Sequence, residues 1–258
     1  MNHSHTNTKR PVALVVGASG GIGSCVVRSL LSKGWDVIAA ARHLEKLEST
    51  LSPLKEYSTQ LKICTFDASR SEEVSLFFDS MTSRFGRLDG MVNCAGSLLL
   101  KPAHLISDEE FEETLSLNLK TAFYLLRPAV RLMMKQPGGG SLVFCSSVAA
   151  SRGLSNHEAI AAAKAGIEGM ALAAASTYAP YGIRINCVAP GLVSTGLTEK
   201  LTASPAVLEK SAAMHALGRI GDPMEVASAI TWFLDPLQSW ITGQVIGVDG
   251  GLAKIQVR

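Results

Sequence analysis

Val12-Ala-Leu-Val-Val-Gly-Ala-Ser-Gly-Gly-Ile-Gly23 is the stretch on which the fold turns. Its first five residues, Val12–Val16, are a β-branched apolar run with no polar alternation, the mark of a strand buried on both faces. The run passes straight into glycines at 17, 21 and 23, and a helix-like segment follows. Glycines at that spacing permit a tight turn and let backbone approach a pyrophosphate closely. The helix N-terminus behind them offers free N–H groups and a favourable dipole. The spacing is G-x-x-x-G-x-G, and its place between a strand and a helix gives it weight as a dinucleotide site.

Working outward, the same alternation recurs to the end of the chain. Val12–Val16, Val37–Ala40, Leu61–Phe66, Gly90–Asn93, Ser141–Cys145, Ile183–Val188 and Val245–Val248 read as strands, each short, apolar and covered on both faces. Helix-length segments lie between them. Ser107-Asp-Glu-Glu110 reads as a capping box, and Asp222-Pro-Met-Glu225 combines a capping Asp, a first-turn Pro and a Glu. Strand–helix alternation implies right-handed βαβ units. The expected architecture is therefore α/β: a single-domain Rossmann fold over residues 11–258, a doubly wound, parallel, seven-stranded sheet with helices on both faces. Residues 1–10, polar and lacking an apolar signal core, are expected to be a disordered tail in which His3 and His5 are solvated.

With 258 residues, 47% of them hydrophobic, the chain can bury a large core. A formal net charge of +2, spread along the sequence, gives no phosphate-tracking stripe and argues against nucleic acid. No apolar run approaches the roughly 18 residues of a membrane helix. No metal cluster stands out. Five cysteines, an odd number, read as buried free thiols of a reducing compartment, so a cytoplasmic location is expected.

Further motifs join the glycine turn: Asn93-Cys-Ala-Gly96, Ile183-Arg-Ile-Asn-Cys-Val-Ala-Pro-Gly191 followed by Thr195, Leu217-Gly-Arg-Ile-Gly221 and Val248-Asp-Gly-Gly251. In combination the chain resembles the short-chain dehydrogenase/reductase family, with β-ketoacyl reductase-like motifs, from about Pro11 to Leu252. The resemblance implies a nicotinamide dinucleotide held by Gly17, Ser19, Gly21, Ile22, Gly23, Arg42, Asp67, Ala68, Asn93, Ala95, Gly96, Lys164, Pro190, Gly191, Val193 and Thr195. Among these Asp67 matches the adenine contact, and Asn93–Gly96 carries Cys where the family has a second Asn. The second strand runs into Ala41-Arg42, where NAD-preferring sites usually place a carboxylate for the ribose 2′-hydroxyl. An Arg there can grip a 2′-phosphate, so NADP(H) is expected in preference to NAD(H).

By the same resemblance Asn118, Ser147 and Lys164 fill the family's catalytic Asn, Ser and Lys roles. Its Tyr belongs four residues before the Lys, and that position is Ile160. Isoleucine has no ionisable proton; losing such a group typically sacrifices roughly 10² to 10⁴ in rate, or about 3 to 5 kcal/mol of barrier. Three readings stay open. The chain is a reductase drawing its proton elsewhere, with His157 as candidate at the wider spacing that the family's enoyl reductases use for their Tyr. Alternatively it is a catalytically inactive NADP(H)-binding subunit, structural or regulatory, or it is a drifted ketoreductase. The resemblance further implies a homodimer or homotetramer, for which the small-residue stretches Ala159–Ala165 and Ala171–Ala175 suit close helix packing. A small, apolar carbonyl, enone or imine substrate is expected from Leu98, Leu99, Leu100, Leu154, Leu197, Leu201 and Met214.

Overall fold

Apolar runs closed off by glycine, proline and charged residues become the strands of one parallel sheet. A computed structural model describes residues 10–256. The expected tail, with His3 and His5, lies outside the described residues except for Arg10, which pairs with Asp36 at 3.2 Å. In chain order the elements are β1 (Val12–Val16), α1 (Gly21–Ser32), β2 (Asp36–Ala41), α2 (Leu44–Leu51), β3 (Leu61–Thr65), α3 (Ser71–Phe85) and β4 (Gly90–Asn93). There follow α4 (Asp108–Leu115), a π-helical turn (Ser116–Lys120), α5 (Thr121–Met133), β5 (Gly140–Cys145), α6 (Glu158–Tyr178) and β6 (Ile183–Pro190). The chain closes with α7 (Glu199–Thr202), α8 (Pro205–Met214), α9 (Pro223–Leu234) and β7 (Val245–Val248).

All seven strands are parallel, in the order β3-β2-β1-β4-β5-β6-β7. The order reverses between β1 and β4, so their C-terminal ends flank the crevice in which open α/β sheets bind ligands. Val16 is in register with Asn93, and Gly17 and Cys94 therefore leave the sheet side by side. Two apolar layers sandwich the sheet. Residues of α3, α5 and α6, among them Phe78, Leu125 and Ile167, cover one face, and residues of α1, α2 and α9, among them Leu30, Leu47 and Phe233, cover the other. Both expected capping boxes form: Ser107 with Glu110 starts α4, and Asp222 with Glu225 starts α9.

Three expectations need correction. Strands β3 and β7 are not covered on both faces; they are the sheet's edges, and Lys62, Ile63, Thr65 and Val245 are exposed. One stretch is longer and more apolar than expected: Glu158–Tyr181 has the length and composition to cross a membrane, because Ala and Gly dilute its three charges, Glu158, Lys164 and Glu168. Its apolar stripe instead packs on the sheet, with Ile160, Ala163, Ile167 and Ala171 buried. The thiols are also less enclosed than expected: only Cys187 is buried, and Cys25, Cys64, Cys94 and Cys145 are half-buried.

Candidate active site

Gly17 turns the chain out of β1 with φ +81°, a conformation in which an L side chain is strained. Its N–H donates to the Ala40 carbonyl at 2.9 Å, and Ala18 shares that acceptor at 3.1 Å, tying the turn to the end of β2. A Cβ at Gly17 would fall 2.6 Å from the Ala95 nitrogen and 2.7 Å from the Cys94 carbonyl carbon. One at Gly23 would collide with the Gly17 carbonyl, and one at Gly21 would fall 2.8 Å from Thr195 Cγ2. All three glycines are thus required sterically. The Gly20 cap of α1 supplies no side-chain hydrogen bond, so the first-turn amides keep only backbone or external partners. Ser19 and Ile22 are half-buried in this turn.

The remaining groups gather at the same edge because each follows the C-terminal end of a parallel strand. Arg42 follows β2; it is exposed and enters no ion pair among the described residues. Asp67 and the buried Ala68 follow β3. Burial raises the Asp67 carboxyl, but the hydrogen bonds from the Ser69 amide (2.9 Å) and hydroxyl (2.7 Å), helped by Arg42 and Arg70, bring it below its ordinary value. Asn93 ends β4 with its Oδ1 accepting from the Ala95 amide at 3.0 Å, which shapes the loop to Gly96. A Cβ at Gly96 would meet Asn118 Oδ1 at 2.7 Å and Lys164 Nζ at 3.4 Å. Glycine there lets the loop close over both.

Asn118 sits fully buried in the π-helical turn, the local widening that frequently marks functional helix positions. Its Nδ2 donates to the Thr114 carbonyl at 2.9 Å and to the Ser97 hydroxyl at 3.1 Å, while its Oδ1 accepts from the Ser97 amide at 3.3 Å. Lys164 projects from α6, 8% exposed, and donates to the Cys145 carbonyl at 2.9 Å. No carboxylate pairs with it among the described residues, and burial pushes its ammonium below the usual lysine range. Ser147 follows β5, half-buried, its Oγ accepting from the Ala149 amide at 3.2 Å. Ile160, one turn before Lys164, is 2% exposed and offers only hydrocarbon.

His157 stands apart from this cluster. It caps α6, and its Nδ1 lies 2.7 Å from the Ser155 carbonyl. A carbonyl can only accept, so Nδ1 carries a proton. No hydrogen bond joins it to Asn118, Ser147 or Lys164 among the described residues. Its loop is tied to the segment after β4: the carbonyl of Asn156, at φ +64°, accepts from the Lys101 amide at 2.9 Å.

Beyond β6, which ends at Pro190, the Gly191 amide donates to the Val248 carbonyl at 3.1 Å. Val193 is buried, and the Thr195 amide donates to Thr198 Oγ1 at 3.1 Å. Two supporting residues escape sequence reasoning. Buried His215 receives the Leu192 amide on Nε2 at 3.2 Å and holds the Ser211 carbonyl through Nδ1 at 2.7 Å, fastening α8 to the Gly191 segment. The Ser146 hydroxyl donates to Glu168 Oε1 at 2.6 Å and fixes α6 against β5. Neither pairing leaves a trace in local spacing. Leu98, Leu99, Leu100, Leu154 and Leu201 are half-buried, whereas Leu197 and Met214 are exposed. A cavity of about 670 Å³ opens at the opposite end of the sheet among Trp35, Asp89, Gly140 and Trp240, and no residue of the cluster lines it.

The family model described as enoyl-(acyl carrier protein) reductase matches residues 17–253. A tropinone reductase homologue of Arabidopsis thaliana is 36% identical over 240 residues, covering 93% of this chain and 90% of the relative. The solved structure of a short-chain type dehydrogenase/reductase from Mycobacterium ulcerans superposes with a TM-score of 0.89 at 31% identity, covering 94% of this chain and 90% of the other. ElxO, solved with NADP bound, gives a TM-score of 0.89 at 26% identity, covering 94% and 98%.

Proposed function

From the premise that the chain belongs to the short-chain dehydrogenase/reductase family, we propose that it is an NADP(H)-dependent reductase of a small, apolar enone, imine or carbonyl substrate. The observation that carries this reading is the meeting, at the switch point between β1 and β4, of a side-chain-free turn with a buried, unpaired lysine ammonium. The glycine turn fits a pyrophosphate, since any Cβ at Gly17, Gly21 or Gly23 would fill it. The dinucleotide supplies the hydride when bound. NADP(H) is favoured over NAD(H) because Arg42 is free to grip a 2′-phosphate and no carboxylate ends β2 to repel it. The NADP-bound state of ElxO supports the same choice.

The proton needs another source than residue 160. Lys164 can supply it: one of its three N–H groups goes to the Cys145 carbonyl, and a buried ammonium with a lowered pKa parts with a proton more easily than a solvated one. Ser147 can orient the substrate oxygen, and Asn118 holds the Ser97 loop beside Lys164. Hydride addition to a conjugated C=C or a C=N bond asks less of a proton donor at oxygen, which favours those substrates. The enoyl reductase description of the matching family model agrees with the first of them. A homodimer or homotetramer, expected from the family, accords with exposed Phe111 and Phe123 on α4 and α5 and with the uncovered edge at β7.

A second reading, a non-catalytic NADP(H)-binding subunit, is favoured by Ile160 alone, since its buried hydrocarbon leaves the position one turn before Lys164 without a proton donor. NADPH consumption with matched ketone, enone and imine substrates separates the two. Turnover by the wild type, lost in Lys164→Met and retained in His157→Ala, is the expected result. A silent wild type that still binds NADPH, with ketone activity appearing in Ile160→Tyr, would establish the binding subunit instead.

A further inference from the structure

We propose that Cys94 and Cys145 form a modification site, a paired dithiol that small-molecule disulfides oxidise to an internal disulfide, and that this bond and a bound dinucleotide exclude each other. The pairing comes from strand register. Asn93 is in register with Phe144, so the next step along the two parallel strands sets Cys94 beside Cys145. In-register neighbours project to the same face of a sheet. Strands about 4.8 Å apart bring their Cα atoms within the span of roughly 4.4 to 6.8 Å that a disulfide bridges.

Both residues are half-buried at the C-terminal edge. Cys187 is buried and in register with Phe144, hence on the opposite face from Cys145. Cys25 lies in α1 and Cys64 in β3, each with an unpaired thiol. The two sulfurs also have different characters. The neighbouring Cys94 thiol holds the Cys145 thiol down, against the effect of burial, and the nearby Lys164 ammonium adds to this. The Cys94 thiol is pushed up by its Cys145 neighbour and by burial.

The thiolate accordingly develops on Cys145, and thiolate is the attacking form. It attacks one sulfur of an external disulfide and expels a thiolate, which leaves a mixed disulfide on Cys145. Cys94 then gives up its proton, attacks the Cys145 sulfur and expels the second thiolate. The two protein thiols are oxidised, the reagent is reduced to two thiols, and their two protons pass to the expelled thiolates.

The link to the cofactor groove is steric, and it rests on the function proposed above. The Cys94 amide donates to the Val16 carbonyl at 2.9 Å, and the Cys94–Ala95 backbone lies within 2.6–2.9 Å of where a Gly17 Cβ would stand. Lys164 holds the Cys145 carbonyl at 2.9 Å. Drawing Cys94 and Cys145 together therefore moves the neighbours of both the glycine turn and the lysine. A dinucleotide held by the glycine turn and Lys164 would lean on that same backbone.

The test treats the reduced full chain with oxidised glutathione, maps peptides by mass spectrometry and measures NADPH binding by fluorescence. A peptide joining residues 94 and 145, reversed by dithiothreitol, is expected. Saturating NADPH should slow its formation about tenfold or more, and the oxidised protein should bind NADPH at least about tenfold more weakly. In Cys94→Ser the mixed disulfide should persist on Cys145. Oxidised protein lacking the 94–145 link overturns the dithiol, and this is read on the wild type without any variant. A link that forms equally fast with NADPH bound, and leaves binding unchanged, overturns the exclusion. Reduced protein that fails to bind NADPH refutes the cofactor reading and with it the exclusion, while the mapped peptide still decides the dithiol.

Discussion

Gly21 has room for a hydrogen and little more, because Thr195 Cγ2 stands 2.8 Å from the place of its absent Cβ. Gly21→Asp is therefore expected to abolish NADPH binding through both bulk and phosphate repulsion, as titration calorimetry would show. Gly21→Ala separates the two causes, and tight binding by the Asp variant would mean that the cofactor site is elsewhere. Arg42 is a test of charge. Charge-assisted hydrogen bonds contribute about 1.5–3 kcal/mol, so Arg42→Ala should weaken NADPH by about 10- to 150-fold. NADH, with no 2′-phosphate, should lose less than about twofold; equal losses would remove the argument for phosphate recognition. Both residues were legible in the sequence, since a glycine turn after a strand and an Arg after the next strand are local patterns. Lys164 was legible by position but its character was not. Spacing placed it one turn beyond residue 160, and only burial without a carboxylate partner makes its ammonium titrate below the ordinary lysine range.

Among the elements, α9 shows how a cap can serve a distant site. Its Pro223 Cγ lies 3.6 Å from the position of a Gly21 Cβ, so the start of α9 leans on the nucleotide turn. Glu225 closes the capping box by accepting the Asp222 amide at 2.8 Å and pairs with Arg219 at 2.6 Å. The Arg219 hydrogen bond, followed by that from the Asp222 backbone, lowers its carboxyl to about 2. A folded pKa below the unfolded value of about 4.3 means that the stabilisation is present above that value and fades as pH falls toward 2. Glu225→Gln should lower the urea midpoint at pH 7, the difference from wild type shrinking on acidification and, since the pair is exposed, with added salt. A constant difference across that range would refute the assignment. The capping box itself could be read from Asp222-Pro-Met-Glu225. By contrast, the π-helical turn around Asn118 had no sequence signal, and its side chain's partner Ser97 lies 21 residues away.

For the whole molecule, the central strands carry both the stability and the site. Phe144 in β5 is fully buried, and its two neighbours in register are Asn93 and Cys187. Phe144→Ala should cost about 3–5 kcal/mol in chemical denaturation, through lost transfer energy and the cavity left behind. Saturating NADPH should recover part of the loss, since a ligand that binds only the folded state stabilises it by mass action. No recovery would separate the dinucleotide site from the C-terminal edge. Sedimentation at micromolar concentration should show a dimer or tetramer, and a monomer would overturn the proposed assembly.

The sequence alone determined the strand–helix alternation, the glycine turn and the side of the sheet to which the site belongs. These follow from local chemistry: period, cap and turn are set by residues a few positions apart. Strand order, and with it the exposed edges at β3 and β7, was decided only by the fold. So were the pairing of Cys94 with Cys145 and the His215 bridge between α8 and Leu192. Each depends on segments far apart in the chain being pressed together by burial of two apolar faces, and no local spacing records which partners that burial selects.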